Sequence, residues 1–318
     1  MRSILLVALP FASRATMAQY ALIVGGLGGS PSQTEAIRSH LHDTYTAFVE
    51  DFRFPLDNVT VLAEHAIEKE PFVAGISTAE AVRAHFEVLS RKVGPDNRIF
   101  VVLFGHGSYD GTRAHFNIPR RDLSDLDWAA LVDSVRPARV IFINTTSASA
   151  PFIDALSAPN RIVITATRTG TQRNQTVFPR FLVEALRSPA ADMDKSGSPS
   201  VREAFYFAAL RTAESFDTAG HLATEHALLD DNGDGVGHRL EDLKEAGDGN
   251  LAAMTHFWQP TRVVVGASLL PDKSAIERDI ATLMERKETL AKDAYYEQLE
   301  RLFVALARLN DRIESGQR

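Results

Sequence analysis

The sequence predicts an α/β protein with a mainly parallel sheet covered by helices on both faces. Three observations carry that prediction. Apolar runs such as Arg98–Gly105 and Arg139–Asn144 are continuous and not alternating, as strands buried on both faces require. Helical patterns separate these runs, and strands alternating with helices imply parallel crossovers. The chain has 318 residues, 45% of them hydrophobic and 24% charged, so it can bury a sizeable core.

The elements follow in order. Tyr20–Gly26 is an apolar run stopped by glycines, and a helix is expected from Ser32 to Phe48 with Ser32-Gln-Thr-Glu35 as its capping box. Asn58–Leu62 is a second strand, and Ser77-Thr-Ala-Glu80 opens a helix through Leu89. The run Arg98–Gly105 is the third strand and ends in Gly-His-Gly. A helix from Ser124 to Val135, the strand Arg139–Asn144 and the strand Arg161–Ala166 complete the alternating part. In such sheets the chemistry gathers at the carboxyl ends of the strands. Helices are expected from Phe181 to Leu186 and from Val201 to Phe216, broken by acidic, glycine-containing loops. A last β-like run, Thr261–Ala267, precedes the charged helical stretch Lys273–Ile313. Its heptad is broken at Lys287 and Glu297, so one or two amphipathic helices are expected, not a sustained coiled coil.

Residues 1–18 read as a signal peptide: Arg2, the apolar run Ile4–Ala12 and a small-residue ending at Ala18. Export to the periplasm or the outside is expected, or a cytoplasmic location if that segment is only an N-terminal extension. The main domain is expected over 19–268 and a helical appendage over 269–318. No membrane span is expected in the mature chain, since the first apolar run is too short and no other stretch is long enough. With 34 Lys+Arg against 41 Asp+Glu the formal charge is -7, so no global basic field exists to gather nucleic acid, and no nucleic-acid partner is expected. The oligomeric state is not encoded in any recognisable pattern. The chain has no cysteine, which removes disulfides, thiolate metal sites and cysteine nucleophiles together.

Chemistry is expected at two strand ends, Phe104–Ser108 and Asn144–Ser149. A histidine between two glycines is accessible as a general base, and Gly107 lets backbone approach a ligand and offer an N–H to an oxyanion. On these segments the chain resembles the caspase-like cysteine peptidases, most of all the legumain type. Those proteins carry a strand ending in His-Gly, then a helix, then a strand ending in an acidic residue, a small residue, Cys, any residue, Ser and Gly. Leu103–Gly107 matches the first motif, and Ile143–Ser149 stands at the second, followed by the strand from Arg161. The resemblance covers roughly Tyr20 to Ala267. It implies a three-layer caspase-like sandwich with His106 as the catalytic histidine and Thr146 in place of the cysteine nucleophile. Asn144 replaces an acidic residue of the specificity pocket, Ala148 and Ser149 replace the usual Ser-Gly, and Arg168 lies where relatives line that pocket.

The departure sets the expected mechanism. A threonine hydroxyl is a far weaker nucleophile than a thiolate unless a dedicated base activates it, and the β-branch of Thr146 restricts its rotamers. The expected protein is therefore a pseudopeptidase that binds a peptide or protein without cutting it. An active hydrolase using Thr145, Thr146, Ser147 or Ser149 with His106 as base is the alternative. A third reading is a calcium-stabilised structural or interaction module.

Two loops carry a calcium-binding spacing. Asp230–Glu241 places oxygen ligands at Asp230, Asn232, Asp234 and Glu241, with the Val236 carbonyl and a turn at Gly235. Asp192–Glu203 repeats the spacing with Asp192, Asp194, Ser196, Ser198, Ser200 and Glu203 around Gly197, with Ser196 replacing an acid. The first is the fuller match and the second has the better helical flanks. Solvated Asx turns are the competing explanation for both. No organic cofactor is expected: Pro31 stands where a dinucleotide fingerprint after Gly26 and Gly28 needs its third glycine, and no phosphate loop occurs. His40 and His42 do not share a helix face, and His221 and His226 lack zinc-ligand spacing. Trp128 and Trp258 read as core or rim residues.

Overall fold

A computed structural model describes residues 18–65, 72–137, 139–258, 276, 279, 280, 283 and 291–315. The proposed signal peptide, apart from Ala18, and the β-like run at 261–267 lie outside the described residues. The chain divides into two compact units, Met1–Trp258 and Gln259–Arg318.

The first unit is an α/β sandwich on a seven-stranded sheet ordered β10-β9-β8-β4-β1-β2-β3. Its strands are β1 (Gln19–Gly25), β2 (Val59–Ala63), β3 (Val73–Ile76), β4 (Arg98–Phe104), β8 (Arg139–Asn144), β9 (Arg161–Thr165) and β10 (Leu228–Asp230). All neighbours run parallel except β10, which is antiparallel to β9. Between β4 and β8 the chain adds a small antiparallel sheet of β5 (Gly107–Tyr109), β6 (Ala114–Phe116) and β7 (Leu123–Ser124). Strands of two or three residues carry no readable alternation, which is why the sequence did not announce them.

β4 shows why the apolar run is continuous. Successive strand side chains point to opposite faces, so Phe100, Val102 and Phe104 enter one core while Ile99, Val101 and Leu103 enter the other. Helices α1 (Pro31–Thr46), α5 (Phe178–Arg187) and α6 (Val201–Thr218) close the first face, and α2 (Ala79–Lys92), α3 (Asp125–Asp133) and α4 (Pro151–Leu156) close the second. Each fully buried Phe or Leu contributes roughly 1.5–3 kcal/mol by leaving water.

Capping residues fix where the helices begin. α1 starts two residues earlier than its expected capping box: Ser30 is the N-cap, its hydroxyl accepting from the Gln33 N–H, because Pro31 suits the first helical position where no N–H is needed. α2 is capped by Thr78, not Ser77, whose hydroxyl instead donates to the Gly25 carbonyl at 2.6 Å. Ser124 opens α3 and Ser200 opens α6, each with a reciprocal capping box, to Asp127 and Glu203. Short helices α7 (Leu243–Ala246) and α8 (Asn250–Ala253) end the first unit. Trp128 is wholly buried and Trp258 partly so.

The second unit contains α9 (Lys292–Ser315), on which Tyr295 and Leu309 are buried and Leu299, Leu302 and Leu306 half-buried, a seam at heptad spacing. Among the described residues no helix is long and apolar enough to cross a membrane.

Candidate functional site at the strand ends

β1, β4 and β8 end level with one another, with Gly25 paired to Phe104 and Leu103 to Asn144. Chain order reverses between β1 and β4, the kind of crevice where open α/β sheets place ligands. The Gly26 N–H bridges it by donating to the Phe104 carbonyl at 2.7 Å. Half-buried His106 follows, its Nε2 3.0 Å from the Gly28 carbonyl and 3.4 Å from Gln33 Oε1. Both partners are acceptors, so Nε2 carries the hydrogen. Gln33 is fixed in turn, its Oε1 accepting from the Ser30 hydroxyl and its Nε2 donating to Gln175 Oε1 at 2.6 Å.

The two predicted segments meet at Gly107. A Cβ there would stand 2.2 Å from the Ser147 carbonyl oxygen and 2.7 Å from Thr146 Oγ1, so only glycine allows this approach. Its smallness serves packing. Its N–H is also committed, donating to Ser147 Oγ at 3.2 Å, so the expected role as an oxyanion donor is replaced by a link between the strand ends. Thr146 is 0% exposed, and its hydroxyl donates to Asn144 Oδ1 at 2.7 Å, with the Ser147 carbonyl 3.1 Å away. Asn144 is buried with it, Oδ1 also accepting the Thr146 N–H, while its Nδ2 has no partner.

The remaining hydroxyls are spent as well. Thr145 donates to the Leu103 carbonyl at 2.7 Å, Ser147 to the Gly107 carbonyl at 3.0 Å, and Ser149 shares a 3.1 Å hydrogen bond with Thr167. Each is committed to a polar group near the end of a strand, where the Leu103 carbonyl takes the Thr145 N–H as well and the Thr167 hydroxyl takes the Ser149 and Ala150 N–H groups. Arg168 is exposed, its N–H donating to Gln172 Oε1. Gln33, Gln175 and Thr176, residues the sequence did not flag, line a cavity of about 40 Å³ beside His106, room for about one water. Thr176 ties this wall to the strand end by donating to the Thr145 carbonyl at 2.7 Å. Gln33 and Gln175 lie 142 positions apart, so no local pattern could have paired them.

The two acidic loops differ in what they gather. The carboxylates of Asp192, Asp194 and Glu203 lie within 4.8 Å of one another, the one such group among the described residues. Asp192 also accepts from the Ser196 and Gly197 N–H groups, and Glu203 from Met193, Asp194 and Ser200. Asp192 Oδ2 and Asp194 Oδ1 keep a second lone pair after one such bond, which suits a hard cation, whereas each Glu203 oxygen already accepts two hydrogen bonds. The later loop is organised around backbone. Asp230 Oδ1 accepts from Gly233, Asn232 Oδ1 from Asp234, and Asp234 Oδ1 from the Val236 N–H, while exposed Glu241 pairs with Arg239 at 2.8 Å. Its organising residues are ones the spacing did not single out. Asp231 accepts from Gly249 and Ala252, both at 2.7 Å, and Asp248 accepts from Asp231 and Asn232 and holds His238 Nδ1 at 2.7 Å.

No protein-family model matches the chain, and no curated protein matches it either.

Proposed function

We propose that the chain is a non-hydrolytic protein of the caspase/legumain-like type, exported from the cytoplasm, which engages a peptide or protein at the carboxyl edge of its sheet without cutting it. One observation carries this reading: the hydroxyl standing where that family holds its thiolate, Thr146 Oγ1, is wholly buried and donated to Asn144 Oδ1 at 2.7 Å. A hydroxyl attacks only after a base takes its proton. Here an amide oxygen holds that proton, and His106 Nε2 is turned to the Gly28 carbonyl. Thr145, Ser147 and Ser149 are equally committed, which argues against the hydroxyl-nucleophile alternative.

The test compares wild type with His106→Ala on a pool of fluorogenic peptides. Equal background rates are expected, and wild-type cleavage ten-fold above the variant overturns the reading. Binding is read separately by anisotropy of labelled peptides, where Gln33→Arg with Gln175→Arg, which crowds the wall beside His106, should weaken the complex at least ten-fold.

A second element of function is favoured by a specific observation, the convergence of Asp192, Asp194 and Glu203. Calcium bound there would join the loop that follows α5 to the first turn of α6 and stabilise the helical side of the sandwich.

A further inference from the structure

We propose that the cavity between α6 and the segments flanking β10 is a binding site for a primary ammonium group carried on a short apolar chain. This does not rest on the strand-end reading. The cavity holds about 300 Å³, at the lower end of the range for ligand pockets, and Ala209, Leu210, Ala213, Ala227 and Leu240 give it largely apolar walls.

Two polar groups on those walls lack what their burial calls for. Glu225 is 4% exposed, and its carboxylate accepts from the Val177 and Phe178 N–H groups at 2.7 and 3.4 Å; among the described residues no cationic side chain pairs with it. Burial without a counter-charge pushes this carboxyl up to about 7. Thr212, also 4% exposed, has a buried hydroxyl with no hydrogen-bond partner at all. Native proteins seldom leave such a group unsatisfied.

The chemistry of the missing partner follows from what is already spent. Arg239 at the cavity wall is neutralised by Glu241 at 2.8 Å and by Asp242 at 3.4 Å. His226 Nδ1 accepts from Gln172 Nε2 at 2.8 Å, because Gln172 Oε1 is taken by the Arg168 N–H, and burial together with Arg168 and Arg239 holds the ring below the usual histidine range. The ionised cavity therefore carries an unbalanced negative charge at Glu225. An ammonium brings three donors and no acceptor, matching a carboxylate and a hydroxyl that are both short of a donor. Its apolar stem would cover the alanine and leucine walls. An anionic ligand would meet Glu225 with like charge, and a neutral alcohol would leave that charge uncompensated.

A free alkylamine and a lysine side chain share this chemistry, and the probes separate them. The full chain is titrated calorimetrically at pH 8 with hexylammonium, N-acetyl-lysine methylamide, hexanol and hexanoate. At least one ammonium probe is expected to bind ten-fold or more tightly than hexanol, with hexanoate silent. The tighter of the two tells a free amine from a peptide-borne lysine. Glu225→Gln should cost at least ten-fold in affinity and Thr212→Val about three-fold. Should Glu225→Gln fail to fold, Ala213→Leu decides, because it fills the cavity from an exposed position and should abolish binding with the melting temperature kept. The proposal is overturned if neither ammonium probe binds, if hexanol binds as tightly, or if Ala213→Leu or a folded Glu225→Gln keeps wild-type affinity.

Discussion

The loops Asp192–Glu203 and Asp230–Glu241 place oxygen-bearing residues at nearly the same intervals, yet only the earlier one turns them toward a common centre. The difference lies in what flanks each loop. The earlier loop runs from the end of α5 to the start of α6, and the capping box of α6 folds Glu203 back so that its Oε1 accepts from Met193 and Asp194. The later loop leaves an edge strand, and its twelfth residue, Glu241, lies beyond a β-bridge of Leu229 to His238, exposed and paired with Arg239. Spacing sets which residues can converge; the elements at either end decide whether they do.

The largest effect that would separate the loops is structural. Asp231→Ala removes the acceptor for two buried N–H groups, those of Gly249 and Ala252, and should destabilise the protein by about 3 kcal/mol in urea unfolding. Asp194→Ala, at an exposed position, should stay within about 0.5 kcal/mol in EDTA. Equal losses would erase the distinction.

Next comes the response to calcium. At a hundred-fold excess over Kd, binding to the folded state alone adds about 2.7 kcal/mol, so calcium should raise the melting temperature of wild type and of Asp234→Ala but not of Asp194→Ala. The opposite pattern would assign the cation to the later loop.

The smallest expected effect is a pH dependence. Burial, with Asp234 and Asp231 nearby, raises Asp230 above its ordinary value of 3.8 against the opposing hydrogen bonds from Ser157 and Gly233. The folded state then holds a proton that the unfolded state has released, so this residue's contribution is fullest below 3.8 and is lost as pH rises through the raised value. Asp230→Asn should flatten the urea midpoint across that interval, and an unchanged profile would mean Asp230 does not titrate there.

Much of the fold was legible. The runs that became β1, β2, β4, β8 and β9 were readable because strands buried on both faces must be apolar at consecutive positions, and the helices followed from their apolar periodicity. The capping boxes expected at Ser32 and Ser77 missed the true caps, Ser30 and Thr78, by two residues and by one, while those that form at Ser124 and Ser200 were not expected. β3, β10 and the small sheet were not legible, being two to four residues long. At the strand ends the sequence pointed to His106, Gly107, Asn144 and Thr146, and the fold does bring Gly107 against Thr146 and Ser147. It did not show that every nearby hydroxyl is committed, nor the Gln33–Gln175 pairing, nor the Asp231–Asp248–His238 network.

By itself the sequence determined the alternation of strand and helix, the absence of any thiol chemistry and the residues that could stand where strands end, since these depend on composition and on contacts within a few positions. Tertiary structure alone decided which oxygens share a centre, which hydroxyls keep a free proton, and that Glu225 and Thr212 line one cavity short of a partner. Those outcomes depend on distances between groups far apart along the chain, and such distances exist only once the layers have packed.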